Sequence, residues 1–188
     1  LGYLIPFPLE RPDSFTSGTR IVLPIYDETK VAVCRRVVED LRPELLLFLR
    51  KLAKITIADK QVGIERTRTI QMRKGSSDEV RLDTSETSMT SASGKTEDCS
   101  SLWHVHRRPV SLPRAAGSES TDLQIAFRQN DQKEQLPAFA WLPLRSYGFR
   151  FIVQADWEVS SSREAILAER SRNQCLRSSL PEIFCELV

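Results

Sequence analysis

The chain has 188 residues, 40% hydrophobic and 28% charged, with 27 lysines and arginines against 25 aspartates and glutamates for a net charge of +2. That is enough apolar material for one good core or two small ones, and the charge is too balanced to make a case for nucleic acid. No window approaches the roughly 18 uninterrupted apolar residues of a membrane span, and no signal-peptide pattern opens the chain, so no membrane partner is expected and an intracellular setting, cytoplasmic or nuclear, is.

Residues 1–13 carry Pro6, Pro8 and Pro12 among Tyr3, Leu4, Ile5, Phe7 and Leu9, an extended apolar lead-in. Gly18-Thr19 then opens the β-branched run Arg20-Ile21-Val22-Leu23-Pro24-Ile25, which predicts a buried strand. Asp27 suits an N-cap, and Val31, Cys34, Val37, Val38 and Leu41 recur at helical spacing, so a helix is predicted over residues 28 to about 41. Pro43 can start a second helix, and Leu45 to Leu49 with Leu52 make it apolar almost all round. Lys54-Ile55-Thr56-Ile57-Ala58 alternates as a strand and closes a strand–helix–helix–strand unit over residues 1–58.

From Asp59 the chain becomes mainly β. Residues 62–73 put Ile64, Arg66, Arg68, Ile70 and Met72 on one face and read as a half-exposed strand, and residues 79–82 pair back across a turn at Lys74-Gly75-Ser76-Ser77. Residues 84–101 are dominated by Ser, Thr, Glu and Gly without an apolar period, and residues 107–120 are a second polar stretch with prolines; both are expected to be loops, the first mobile. Residues 102–106 and 123–128 alternate as short strands between and after them.

The stretch from Phe139 to Glu164 holds the longest strand-like alternation. Phe149, Phe151, Val153 and Ala155 face one way, and Arg150, Ile152, Gln154 and Asp156 the other, predicting a strand over residues 149–159 after a Tyr147-Gly148 turn. Ser160-Ser161-Ser162 can cap a following helix, with Glu164 approaching its first amides, which puts Arg163 at a strand-to-helix corner. A helical tail follows over 166–188, interrupted near Pro181, with Leu176, Leu180, Ile183, Phe184 and Leu187 on one side.

Several motifs carry less chemistry than their letters suggest. Gly94-Lys95-Thr96 resembles the end of a phosphate-binding loop, but that loop needs a glycine where this chain has Met89. His104 and His106 share a strand face without a third ligand at fixed spacing, and Cys34, Cys99, Cys175 and Cys185 have no CxxC spacing, so they read as free thiols and no metal is implied. The serines at 160–162 have no Gly-x-Ser-x-Gly elbow around them.

Gly18-Thr19 opening a strand before two helices resembles the last nucleotide-site motif of the gyrase, heat-shock protein 90, histidine-kinase and MutL superfamily of ATPases. More narrowly, Ile5-Pro6-Phe7, the Gly18 to Pro24 run, Leu45 to Leu49, Phe139 to Arg145 and Phe149 to Glu164 are similar to sacsin and NO VEIN-like proteins. The resemblance implies an α+β chain: the end of an α/β sandwich ATPase domain at 1–58, then a β-rich middle or coupling domain at 59–188 with polar loops and a helical tail. It implies that Gly18 permits a tight strand entry, that the Thr19 hydroxyl holds the adenine end of ATP, and that Arg163 is a catalytic arginine stabilising the transferred phosphate. The superfamily's general-base glutamate, metal-binding asparagine, adenine-binding aspartate and glycine-rich lid precede its Gly-Thr motif. ATP and magnesium are therefore implied for a longer chain that includes the upstream part of the ATPase domain, and hydrolysis is not expected from these 188 residues alone. Leu1 and an end at Val188 within an apolar run fit such a piece. Client proteins are the implied partners, and a non-catalytic protein–protein interaction module is the alternative.

Overall fold

The computed structural model describes residues 21–187 apart from 77, 91, 92, 115, 116, 131 and 132. The chain divides into two compact units between Asp40 and Leu41. Gly18 and Thr19, with the rest of the lead-in, lie outside the described residues.

In the first unit, helix α1 (Glu28–Glu39) forms where the apolar spacing places it. Its cap is the expected one, because the Asp27 carboxylate accepts hydrogen bonds from the Thr29 amide at 2.9 Å and the Thr29 hydroxyl at 2.6 Å. Those bonds, the hydroxyl's first, hold the Asp27 carboxyl below the usual carboxylate range. The cap is thus complete above the unfolded pKa of this group and is lost as pH falls through the depressed folded value. Of the buried strand expected at 20–25, the described part does not form: residues 21–26 have no strand partner among the described residues, and Ile21, Leu23 and Tyr26 are all exposed. β-propensity describes a fit to a neighbouring pleated surface, and residues 21–26 pair with none.

The second unit is a mixed α+β body around an eight-stranded sheet. Its strands are β1 (Lys54–Gln61), β2 (Ile64–Lys74), β3 (Glu79–Thr90), β4 (Gly94–Arg114), β5 (Gly117–Arg128), β6 (Pro137–Ala140), β7 (Leu142–Ser146) and β8 (Ile152–Gln154), with helices α2 (Leu45–Phe48) and α3 (Ser171–Leu187). The order across the sheet is β1-β2-β3-β4-β5-β8-β6-β7, antiparallel throughout except for β6 against β8. Successive hairpins account for the first five strands, and Gly63, at φ 76, turns the first of them. The strand at 54–58, expected to close the first unit, instead opens this sheet through Ile55 opposite Ile70 and Ile57 opposite Arg68.

Both expected loops are largely strand among the described residues. Residues 84–90 and 94–101 belong to the β3–β4 hairpin, with Thr84 opposite Cys99 and Thr87 opposite Thr96. The absence of an apolar period reflects two wet faces, and the ladder is made by backbone groups that need no apolar partner. Polar cross-strand contacts add to it, with the Thr87 and Thr96 hydroxyls at 3.3 Å and Ser100 donating to Asp83 at 2.9 Å, while along β4 itself a Lys95–Glu97 ion pair raises the Lys95 pKa and lowers that of Glu97. Residues 107–114 continue β4 despite Pro109 and Pro113, because β3 reaches only to His104 and leaves this part of β4 paired with β5 alone. The Val105 amide points toward the β3 side, onto Asp78 O at 2.8 Å. Pro109 and Pro113 share its parity, so their missing N–H groups fall on the open edge and cost the β5 ladder nothing.

The predicted strand over 149–159 shrinks to the three residues of β8, with a separate bridge between Val159 and Ile166. No helix starts after the serines. α3 begins at Ser171 and runs through Pro181, where Arg177 and Pro181 are both exposed. The second predicted helix is likewise a single turn, four residues long, that sinks Leu46, Leu47 and Phe48 into the sheet before Leu49 leaves it in extended conformation.

The core is double. On one face Leu46, Phe48, Ile70, Leu82, Trp103, Phe139 and Ile152 pack together; on the other Leu123, Ile125, Val153, Trp157, Leu176 and Ile183 do. α2 thus covers one face and α3 the other. No helix among the described residues is long and apolar enough to cross a membrane.

The hairpin reading is directly testable. Hydrogen exchange of the ladder amides in residues 84–90 and 95–101 is expected to be much slower than in an unstructured peptide of the same sequence. Exchange at the peptide rate throughout both segments would refute the hairpin.

Candidate functional site

The turn that carries Arg163 joins two segments bridged at Val159 and Ile166. Ser160 organises it, its amide donating to Ala165 O at 2.9 Å, its carbonyl accepting from the Arg163 amide at 2.8 Å and its hydroxyl 3.1 Å from that of Ser162. The serines therefore cap a tight turn rather than a helix. Arg163 adopts φ 59, a left-handed conformation that side chains bearing a Cβ disfavour. The side chain is exposed, and one guanidinium nitrogen, Nη2, donates to the carbonyl of Ala140 at 2.8 Å. The expected strand-to-helix corner is thus replaced by a turn that presents the cation while tying one of its five donors.

Polar side chains whose roles the sequence does not reveal hold this turn in place. The Asn173 side chain, 2% exposed, accepts from the Glu158 amide at 2.9 Å and donates to Glu158 O at 2.7 Å and Leu167 O at 2.8 Å. It locks both arms of the turn to the first turn of α3. Tyr147 accepts from the Ile166 amide at 2.8 Å, and the Arg145 guanidinium stacks on its ring at 4.9 Å. Arg172 adds bonds to Asp156 O at 2.9 Å and the Asp156 carboxylate at 2.6 Å. Nothing in the local pattern marks Asn173, which looks like an ordinary polar position in an amphipathic helix.

On the other side of Arg163, Ala140 pairs with Leu142, so the β6–β7 hairpin reverses at Trp141, whose φ is 64. The Trp141 amide donates to Gln154 Oε1 at 2.8 Å, and Gln154 is fully buried. The Arg50 guanidinium lies 5.9 Å from the Trp141 ring and bonds Asp122 at 3.1 Å.

The remaining motifs lie elsewhere. His104 and His106 line a cleft of about 550 Å³ with Asp78, Glu79, Phe127 and Leu187. His106 lies 3.5 Å from Asp78 and 3.8 Å from Glu186, while Cys99, at odd parity in the same strand, faces the opposite side of the sheet. Among the described residues no group of three His, Cys, Asp or Glu is placed to hold a metal ion. Gly94-Lys95-Thr96 is the start of β4, with Lys95 paired to Glu97.

No family model matches the chain, and no solved structure matches it. It is similar to Protein NO VEIN of Arabidopsis thaliana, with 28% identity over 218 residues that take in 99% of this chain and 7% of that protein. The chain thus spans 7% of the length of the curated relative it matches.

The clamp on the turn has a measurable worth. Asn173→Ala removes three bonds and takes the side-chain acceptor from the Glu158 amide, while the carbonyls of Glu158 and Leu167 keep the amides of Leu167 and Arg170, so a loss of about 1–3 kcal/mol is expected in urea unfolding. A loss below about 0.5 kcal/mol, the level of an ordinary surface change, would show that the turn is held by other contacts.

Proposed function

We propose that this chain is part of a longer, chaperone-like ATP-binding protein, its leading residues completing a nucleotide-binding sandwich and its sheet body coupling that site to the rest. The similarity to Protein NO VEIN, which takes in nearly the whole of this chain and a small part of that protein, carries the proposal. The resemblance of Gly18-Thr19 to the last motif of the ATPase superfamily supplies the nucleotide part. In this scheme Gly18 allows close backbone approach, Thr19 contacts the adenine end of ATP, and Arg163 stabilises the charge that develops on the transferred phosphate. Magnesium is held by groups that precede the Gly-Thr motif.

The geometry of the turn suits such a role. Arg163 is exposed, its backbone is fixed by the Ser160 bonds, and only one of its donors is tied to Ala140. A planar cation whose backbone is held at a defined point offers its remaining donors to an approaching anion. The second reading, a non-catalytic interaction module, is favoured by one feature of the same body. Phe149 and Phe151 stack at 5.0 Å and Phe184 lies 5.5 Å from Phe151, leaving Phe149 and Phe184 about 40% exposed as an aromatic row.

Turnover and affinity separate the two readings. In the longer protein Arg163→Ala is expected to lower ATP turnover about tenfold or more with little change in ATP affinity. Thr19→Ala is expected to weaken ATP binding, because the threonine is a ground-state contact. The 188-residue chain alone should show weak or no ATP binding by titration calorimetry. Unchanged turnover on loss of Arg163 removes it from the mechanism, and a longer protein that neither binds nor hydrolyses ATP favours the interaction module.

A further inference from the structure

We propose that the reversal at Trp141 is a two-position switch and that Arg163 is its latch. Trp141 and Arg163 have positive φ, 64 and 59, the non-glycine residues of the described chain that do, and a single hydrogen bond joins their positions, from Arg163 Nη2 to Ala140 O at 2.8 Å. A bulky aromatic in left-handed backbone persists only where its surroundings over-determine it. Two bonds do so here. The Ala140 carbonyl is held by Arg163, and the Trp141 amide is held by Gln154 Oε1 at 2.8 Å.

The two restraints differ in what can displace them. Gln154 is fully buried, with its amide nitrogen donating to Ala155 O at 3.2 Å, so it has no competing partner. Arg163 is exposed, and its bond goes to a neutral carbonyl. An anion offers a guanidinium charge–charge attraction and bidentate geometry that a neutral carbonyl does not. An anion that engages the guanidinium fork bidentately, Nη2 included, draws Arg163 off Ala140 and leaves Trp141 with one restraint, free to relax toward extended backbone. The consequence is felt across the sheet edge, because the indole stacks on Arg50, which is tied to Asp122. Where the anion is the phosphate of a nucleotide, the switch rests on the function proposed above; the latch itself does not.

The latch is tested on the 188-residue chain without nucleotide. Both Trp141→Gly and Trp141→Ala remove the indole, so their difference isolates backbone preference. Because alanine is penalised at positive φ and glycine is not, Trp141→Gly is expected to melt about 2–4 °C above Trp141→Ala. In an Arg163→Met background that gap should fall to less than half or reverse, as glycine's ordinary disadvantage in extended backbone returns. Arg163→Lys, which can still donate to a carbonyl, should restore it. Trp103 and Trp157 are buried and Trp141 is 36% exposed, so acrylamide quenching of the parent chain reports mainly on Trp141 and should change with Arg163→Met and not with Arg163→Lys. An alanine variant that melts at or above the glycine variant, or a gap untouched by Arg163→Met, overturns the latch whatever ATP does. In the longer protein, ATP with magnesium should change Trp141 quenching in the parent and not in Arg163→Met. If ATP leaves it unchanged while loss of Arg163 lowers turnover, the coupling is overturned and the catalytic role stands; if turnover is unaffected, that role falls and the latch stands.

Discussion

Ile152, Val153, Gln154 and Ala155 are all buried, although successive residues of an extended segment point to opposite faces of a sheet. Both faces must therefore be covered at this point, and the rest of the larger unit supplies the covers. Ile152 packs with Phe48 and Phe139 under α2, while Val153 and Ala155 pack with Leu176 and Ile183 under α3. The same requirement explains why a single helical turn suffices at Leu45–Phe48, since three large side chains, each worth about 1.5–3 kcal/mol when buried, seal that face. Away from this centre the cover stops. The β2–β3–β4 strands continue into water with polar residues on both sides.

Among the described residues the covered centre holds three buried polar side chains, Gln124 on β5, Gln154 on β8 and Asn173 on α3, and the last two serve irregular backbone. Gln154 and Asn173 have their side-chain donors and acceptors engaged, Gln154 at the reversal at Trp141 and Asn173 on the arms of the 160–166 turn, where it adds to the backbone bonds already present. Irregular backbone at the edge of the core is thus specified by buried amides. This is the physical reason a cation can be displayed at Arg163 in a conformation its own side chain disfavours.

Those amides also mark where the sequence stops being legible. α1, its Asp27 cap, the β1 and β2 strands and the Tyr147-Gly148 turn, where Gly148 takes φ 90, were readable because each rests on local pattern: spacing, a capping carboxylate, alternation, a glycine. The β3–β4 hairpin was not, since a ladder with two wet faces carries no apolar period and its Ser and Thr residues have the composition of a loop. Pro109 and Pro113 hid the end of β4 because their tolerance depends on which edge of the strand is open, a fact about β3's length that β4 does not contain. The run at 21–25 failed in the opposite sense, having strand composition without a strand to pair with. For the candidate site, Arg163 and the serine-rich turn were legible as a position. Trp141, Gln154 and Asn173 were not, because their roles come from contacts 13 to 23 residues away in sequence.

The arrangement around Arg163 sets a tension between stability and function. Two residues in left-handed backbone cost free energy, on the order of 1 kcal/mol or more each, that glycine at positions 141 and 163 would not incur. A turn under selection for stability alone would carry glycine at both. Keeping an arginine and a tryptophan there gives the turn a cation and an exposed indole, and ties the conformation of each to the carbonyl of Ala140. A guanidinium already bonded to a carbonyl meets an incoming anion with part of its desolvation done and its direction fixed, but it must give up that bond to turn fully toward the anion. The strength of the Arg163–Ala140 contact therefore sets both how well the cation is aimed and how readily the Trp141 reversal is released, so a substitution that tightens one loosens the other.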